Sequence, residues 1–219
     1  MAQHLRYRAV LFDLDGVLVD SAVVVERHWR RWASRSAVPY ERVAAVAHGR
    51  RSFEVIRVVA PHLDAAEEGR RHDAEEGLDT DGLRVFDGVH ALLREIPPRA
   101  WAVVTSGSLL TASTRLRYGG FLWPCVLVTA DDVQRGKPAP DCYLLAAKRL
   151  GVAPANCVVI EDAPAGIEAA RAAGMRAVAV VTTHAPVDLG RADAIVQRLS
   201  DIRIREEEKS LSIRAAPLA

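Results

Sequence analysis

Cysteine is scarce in this sequence, which contains three among 219 residues and no CxxC pair. An odd number of scattered cysteines argues against a disulfide framework and a structural zinc site, and favours reduced thiols in a cytoplasmic protein. No apolar run approaches the ~18 residues that a membrane-spanning helix needs. The formal net charge is only +1, so neither nucleic acid nor a membrane surface is expected as a partner.

Nucleotide-binding signatures are also absent. The chain contains neither GxGxxG nor GxxxxGK[ST], which argues against a dinucleotide site and a Walker-type site. A cleavable secretory leader is not expected, because its removal would delete the first apolar segment and the two aspartates within it. Half of the residues are hydrophobic, enough for a substantial core. We expect a monomer or a weak homodimer.

The most informative segment is the apolar run at 9–18, which contains Asp13 and Asp15 and is broken by Gly16. Buried carboxylates are costly unless a cation meets them, and glycine allows the chain to turn sharply. Ligands of open α/β sheets bind at the carboxyl ends of the strands. The run therefore indicates a strand that brings two acids to a ligand site. A strand followed by a solvated acidic turn is the alternative interpretation.

The rest of the chain alternates between short apolar runs and helical segments, except at 40–78, where only helical patterns occur. Continuous β-branched runs between helices are typical of a parallel sheet covered on both faces. We therefore predict an α/β protein with a Rossmann-like three-layer core at 1–18 and 83–219. A small all-α cap at 19–82 is inserted after the first strand. The last fifteen residues are expected to fray.

More precise bounds follow from the same patterns. Strands are predicted at 101–104, 125–128, 157–160 and 177–181, and helices at 22–36, 109–118, 140–150 and 165–173. Trp29 and Trp32 are expected to pack inside the cap. Asp131 and Asp132 are expected to cap a helix N-terminus.

Polar groups of a consistent kind follow four of the predicted strands. They are Asp13 and Asp15, then Thr105, Ser106 and Gly107, then Lys137, and finally Glu161 and Asp162. The ends of parallel strands meet at one edge of a sheet. Carboxylates, a hydroxyl with flexible amides and one ammonium suit phosphoryl transfer with Mg²⁺, which prefers oxygen ligands. Zinc would require His or Cys, and neither occurs at these positions.

These motifs, in this order, resemble the haloacid dehalogenase-like hydrolases, and more closely their phosphatase branch with a helical cap. The resemblance implies that Asp13 is the nucleophile and Asp15 the general acid and base. It also implies that Thr105 and Lys137 stabilise the phosphoryl group, with the amides of Ser106 and Gly107. Mg²⁺ would be held by Asp13, Asp162 and the carbonyl of Asp15, with Glu161 close by.

The residue types also separate branches of that superfamily. Dehalogenases lack the aspartate found here at position 15, and the phosphonate-cleaving branch needs a cap lysine, whereas 19–82 contains none. Local strings are similar to sugar and polyol phosphatases, of the 2-deoxyglucose-6-phosphate and glycerol-phosphate types. The expected substrate is a small phosphorylated metabolite bound by His48, Arg50 and Glu75, although these could be solvated cap residues.

Three other interpretations remain open. A β-phosphoglucomutase shares several of these motifs and would use Arg50 or Arg51 to hold a second phosphate. A non-catalytic phosphate-binding protein would have lost Asp13 or Asp15, and both remain. The pair at 72–73, His-Asp, resembles the metal pair of another phosphohydrolase class, but its highly charged surroundings favour a solvated helix face.

Overall fold

The computed structural model describes residues 3–207 and 210–216. The strands, in chain order, are β1 (Gln3–Tyr7), β2 (Ala9–Phe12), β3 (Val19–Asp20), β4 (Arg84–Val85), β5 (Trp101–Val104), β6 (Val126–Val128), β7 (Cys157–Glu161), β8 (Arg176–Val180), β9 (Ala194–Val196), β10 (Ile202–Glu207) and β11 (Ser210–Ala215). The helices are α1 (Ala22–Arg35), α2 (Tyr40–Ala47), α3 (Ser52–Val59), α4 (Ala65–Gly77), α5 (Val89–Arg94), α6 (Leu109–Tyr118), α7 (Asp141–Leu150) and α8 (Pro164–Ala172).

Six strands form the central sheet in the order β6-β5-β2-β7-β8-β9, and every neighbouring pair in it is parallel. The sheet confirms the predicted α/β class. The predicted helices after β5, β6 and β7 are confirmed to within a residue at each end. Parallel strands require a crossover, and these helices provide it. The carboxyl ends of β5, β2 and β7 therefore lie side by side.

Alternate side chains of β2 enter two different apolar clusters. Val10 and Phe12 pack with side chains of α5 and α6, whereas Ala9 and Leu11 pack with those of α7 and α8. Successive residues of a strand point to opposite faces, so a strand that is apolar at every position must be covered on both sides. The three-layer core follows directly from this pattern.

Four helices, α1 to α4, lie between β3 and β4 in the sequence. The two short strands pair antiparallel, so the chain leaves the core and returns to it at the same place. Buried side chains between Trp29 and Ala60 form an apolar cluster of their own. The helical character predicted for 40–78 is confirmed, and it is divided among α2, α3 and α4. None of the described helices combines the length and apolar character of a membrane span.

The prediction of a frayed C-terminus was wrong for the described residues of that segment. β10 and β11 pair antiparallel, and β11 also pairs with β1. Ile202, Ile204, Leu211 and Ile213 are buried on one side of this small sheet, while the residues between them are largely exposed. This period-two alternation is a strand signal, but the high charge of the segment obscured it. Residues 208, 209 and 217–219 lie outside the described part.

Candidate active site

Asp13, Thr105 and Asp162 stand directly after three adjacent parallel strands. The backbone N–H of Asp13 donates to the carbonyl of Ile160 at 3.0 Å, and that of Thr105 donates to Val128 at 2.9 Å. These bonds extend the sheet ladder by one residue beyond the strand ends. The three polar side chains are buried at the same edge, so the predicted convergence of the strand ends is observed.

Lys137 lies at the centre of this edge, although it comes from a loop. Its ammonium donates to Oδ1 of Asp13 at 2.6 Å, to Oε1 of Glu161 at 2.8 Å and to the carbonyl of Val104 at 3.2 Å. Burial lowers the pKa of Lys137, but the two carboxylates more than offset this effect, and the pKa lies well above its usual value. Lys137 is therefore cationic at any working pH.

Asp13, Glu161 and Asp162 form a buried acidic cluster in which one carboxylate oxygen of each lies within 4.8 Å of the others. Burial, opposed by Lys137, raises the pKa of Asp13 to about 7. Burial and the carboxylates of Glu161 and Asp13 raise the pKa of Asp162 well above its usual value. The single ammonium of Lys137 therefore does not balance the three carboxylates of the cluster. A hard divalent cation fits this all-oxygen donor set.

The carboxylate of Glu161 already has partners on both oxygens. Oε1 accepts from Lys137 and from the hydroxyl of Tyr143 at 3.0 Å, and Oε2 accepts from the backbone N–H groups of Asp162 and Ala163. Burial raises the pKa of Glu161, but Lys137 and the two amides outweigh this effect and lower it overall. Glu161 therefore holds Lys137 and the backbone at Asp162 in position.

Asp15 stands on the turn that leads from β2 towards the helical insertion. Gly16 has a φ of +84°, which is unfavourable for any residue with a side chain, and a Cβ there would approach Oδ2 of Asp162 to 2.1 Å. Oδ1 of Asp15 accepts from Nε of Arg115 at 3.1 Å. The turn thus brings the Asp15 side chain to the cavity above the sheet edge, where Asp13 also lies.

The loop after β5 also contributes to the site. The Oγ1 of Thr105 accepts from the N–H of Gly107 at 3.0 Å, and the hydroxyl of Ser106 donates to the carbonyl of Gly49 at 2.8 Å. All three residues of this loop line the cavity. The Gly107 amide is thus partnered within the loop, and Ser106 connects the loop to the helical insertion.

A cavity of ≈ 110 Å³ lies between the sheet edge and helices α1 to α4. Of the three cap residues expected to bind substrate, His48 and Arg50 line it. The prediction for Glu75 was wrong: its carboxylate faces outward and pairs with Arg35 and Arg71. One residue along a helix is a rotation of about 100°, and Glu76 lines the cavity instead.

His72 is buried, so the expected solvated helix face was wrong for that residue. Its ring stacks on Trp29 with centroids 3.9 Å apart, because this face of α4 packs against α1. Trp29 also packs on Trp32, as expected, and it contributes to the cavity wall. The carboxylate of Asp131 accepts from the N–H of Leu109 at the start of α6, which confirms the expected capping contact.

Sequence reasoning missed several residues of the site. Arg115 is fully buried and contacts Asp15. The hydroxyl of Thr183 donates to the carboxylate of Asp162, and Thr182 donates to the carbonyl of Gly16 at 2.6 Å. The two threonines follow β8, a fifth strand that ends at the same edge, so the strand-end rule could have identified them. No sequence signal pointed to Arg115.

A parallel sheet with carboxylates, an ammonium and a hydroxyl at one edge defines an α/β enzyme suited to chemistry on phosphoryl groups. Residues 7–174 match the haloacid dehalogenase-like hydrolase family, and the chain belongs to that family.

The chain is similar to named phosphatases. It is 41% identical over 211 residues to hexitol phosphatase A of Escherichia coli, covering 93% of this chain and 96% of the relative. It is 32% identical over 222 residues to glycerol-1-phosphate phosphohydrolase 2 of Saccharomyces cerevisiae, covering 93% and 84%. The crystal structure of a β-phosphoglucomutase from Clostridium difficile has the same fold, with a TM-score of 0.76, 22% identity and coverage of 90% and 93%.

Proposed function

We propose that this protein is a Mg²⁺-dependent phosphomonoester hydrolase that acts on small sugar or polyol phosphates through an aspartyl-phosphate on Asp13. The observation that carries the proposal is the buried contact of Lys137 with Asp13 beside Asp162, at the floor of the cavity. The phosphatases among the relatives supply the reaction type.

The roles of the individual groups follow from their surroundings. The carboxylate of Asp13 attacks phosphorus, which divides one displacement into two easier steps. Asp15 gives a proton to the leaving alcohol and then removes one from the incoming water. Lys137 and Thr105 stabilise the negative charge that develops on the phosphoryl oxygens. Asp13 is buried and paired with an ammonium, whereas Asp15 is partly exposed, and such differences suit two acids to different tasks.

Asp13, Asp162 and the backbone carbonyl of Asp15 are the groups proposed to hold Mg²⁺. The pKa values of Asp13 and Asp162 are raised, first by burial and then by neighbouring carboxylates, and this crowding of acids around one ammonium supports a cation site. Six carboxylates line the cavity, together with a single arginine, Arg50. When bound, the cation would offset the charge of both the carboxylates and the substrate phosphate.

The proposed substrate class rests on the cap side of the cavity. Ser52, Asp73 and Glu76 line it with hydroxyl and carboxylate groups, which can bind a neutral polyhydroxylated molecule through hydrogen bonds. We also propose that residues 19–82 act as the cap, closing over the core at 1–18 and 83–219. The cytoplasmic location and the oligomeric state stay predictions.

A mutase is the less favoured candidate because it must hold a second phosphate. Arg51 cannot do so in this arrangement, since its guanidinium is buried and donates to the carbonyls of Val133 and Gln134. That leaves Arg50 on a wall that also contains Asp73 and Glu76. The negative charges of Asp73 and Glu76 oppose the binding of a second phosphate there.

The direct test is phosphate release from a panel of sugar, polyol and nucleotide monophosphates, with Mg²⁺ and with EDTA. We expect Mg²⁺-dependent release, fastest with sugar or polyol esters and without a bisphosphate activator. If instead a sugar phosphate is isomerised, and only when a bisphosphate activator is present, the protein is a mutase. Tight binding of inorganic phosphate without turnover of any ester would indicate a non-catalytic phosphate-binding protein.

Without bound metal, the stability of the protein should depend on pH, because the carboxylates of the acidic cluster lie close together. Asp13 has a folded pKa of about 7 against a reference value of 3.8, so the folded state retains a proton that the unfolded chain releases. The stability of the metal-free protein should therefore fall as the pH rises from about 4 to about 7.

Mg²⁺ competes with protons for these carboxylates, so it should raise Tm more near pH 8 than near pH 5. Each kcal/mol of binding adds about 2–4 °C for a chain of this size. Thermal melts in Mg²⁺ and in EDTA test this, with Asp162→Asn as the variant that should lose the response. An equal Tm increase at both pH values would count against the acidic cluster as the cation site.

A further inference from the structure

Arg115 is a fully buried cation that the proposed chemistry does not use. It lies on α6, a core helix, and its guanidinium has three partners. Nε donates to Oδ1 of Asp15 at 3.1 Å, Nη2 donates to Oε1 of Glu76 at 2.8 Å, and Nη1 donates to the carbonyl of Asp79 at 3.3 Å. Asp15 belongs to the core, whereas Glu76 and Asp79 belong to the helical insertion.

Nothing else in the described residues 3–207 and 210–216 forms a hydrogen bond or an ion pair with the carboxylate of Asp15. The orientation of Asp15 therefore depends on where the guanidinium of Arg115 points. The N–H groups of an arginine point in fixed directions within one plane, so partners that bind some of them also determine where the others point. Here those partners are Glu76 on α4 and the carbonyl of Asp79 in the turn after it.

We propose that Arg115 is a positioning residue that couples the closed cap to the orientation of Asp15. With the cap on the core, Glu76 and the Asp79 carbonyl hold the guanidinium so that its Nε points at Asp15. Movement of α4 away from α6 removes two of the three partners and releases Asp15 from this orientation. Proton donation to the leaving group is thereby confined to the closed state. This inference rests on the proposed function of Asp15.

The coupling predicts a dependence on the leaving group. An alkoxide is a strong base and must be protonated as it leaves, whereas 4-nitrophenolate is a weak base and can leave unaided. Benzyl phosphate and 4-nitrophenyl phosphate are similar in size but differ in this respect. A misoriented Asp15 should therefore slow phosphoryl transfer to Asp13 from benzyl phosphate much more than from 4-nitrophenyl phosphate.

The experiment compares kcat/KM for these two esters in the wild type, Arg115→Met, Arg115→Lys, Glu76→Gln and Glu75→Gln. This quantity reports the transfer of the phosphoryl group to Asp13 and leaves out the hydrolysis of the intermediate, which both esters share. We expect Arg115→Met to lower kcat/KM for benzyl phosphate about 10–100-fold more than for 4-nitrophenyl phosphate, a part of the usual general-acid effect. Arg115→Lys keeps the charge but not the fork and should show the same selective loss. Glu76→Gln should show a smaller loss of the same kind, and Glu75→Gln, its outward-facing neighbour, none.

Equal losses of kcat/KM on both esters would mean that Arg115 is only structural, and would overturn this inference but not the proposed function. If both Arg115 variants fail to fold, the ratio for Glu76→Gln decides, and an unchanged ratio overturns it. A wild-type protein that releases phosphate from neither ester would overturn the proposed function, and the inference with it.

Discussion

Asp13→Asn is expected to lower kcat by about 10⁴-fold or more, on alkyl and aryl phosphates alike. An amide is a poor nucleophile, and no other described side chain has both the contact with Lys137 and the position at the end of β2. The amide is nearly isosteric with the carboxylate and can still accept a hydrogen bond from Lys137, so the fold should be retained. Mg²⁺-dependent phosphate release and the circular dichroism spectrum measure the two effects.

Asp188→Asn is the matched control, because Asp188 is an exposed residue in a turn. It removes the same charge from the chain and should leave kcat unchanged. Appreciable turnover in Asp13→Asn, once reversion and contamination are excluded by mass spectrometry, would show that the nucleophile is another residue.

Lys137→Met is expected to reduce both activity and stability. Methionine has a similar length but no charge, so Asp13 and Glu161 would remain buried without a cation. Breaking a buried ion pair from one side costs about 3–5 kcal/mol of unfolding free energy. Activity should fall about 10²–10³-fold, the typical loss when one donor to a developing charge is removed. Urea unfolding and steady-state kinetics measure the two losses separately.

The double variant Lys137→Met/Glu161→Gln should regain part of the stability but none of the activity, because it neutralises one of the two stranded carboxylates. Lys148→Met is the control, since Lys148 is an exposed lysine on α7. A Lys137→Met protein as stable as the wild type in the absence of Mg²⁺ would contradict the contacts described for this ammonium.

The sequence was sufficient to predict five of the six strands of the central sheet and most of the polar groups at its edge. The strands β2 and β5, and β7 up to Ile160, are continuous apolar runs, each followed by a polar residue. This pattern needs no knowledge of tertiary packing. The alternation in β10 was missed because its charged residues resemble a solvated tail. That strand is stable because β11 covers its polar backbone and its isoleucines face the core.

The cap side of the site could not be predicted to the same degree. Whether Glu75 or Glu76 faces the cavity depends on the rotation of α4 about its axis, and that rotation is determined by packing against α1 and α3. Arg115 reaches Asp15 across a hundred residues of sequence. No motif on α6 distinguishes Arg115 from Arg117, the other arginine of that helix.

The most direct test of the account is detection of a phosphoryl group on Asp13 during turnover. The Asp15→Asn variant should accept a phosphoryl group from 4-nitrophenyl phosphate, which leaves without a proton, and should then fail to hydrolyse the intermediate for want of a base. Acid quenching and peptide mass spectrometry should locate the group on Asp13. Sustained phosphate release by the wild type, with no label on the Asp13 peptide in either protein, would contradict covalent catalysis at this residue.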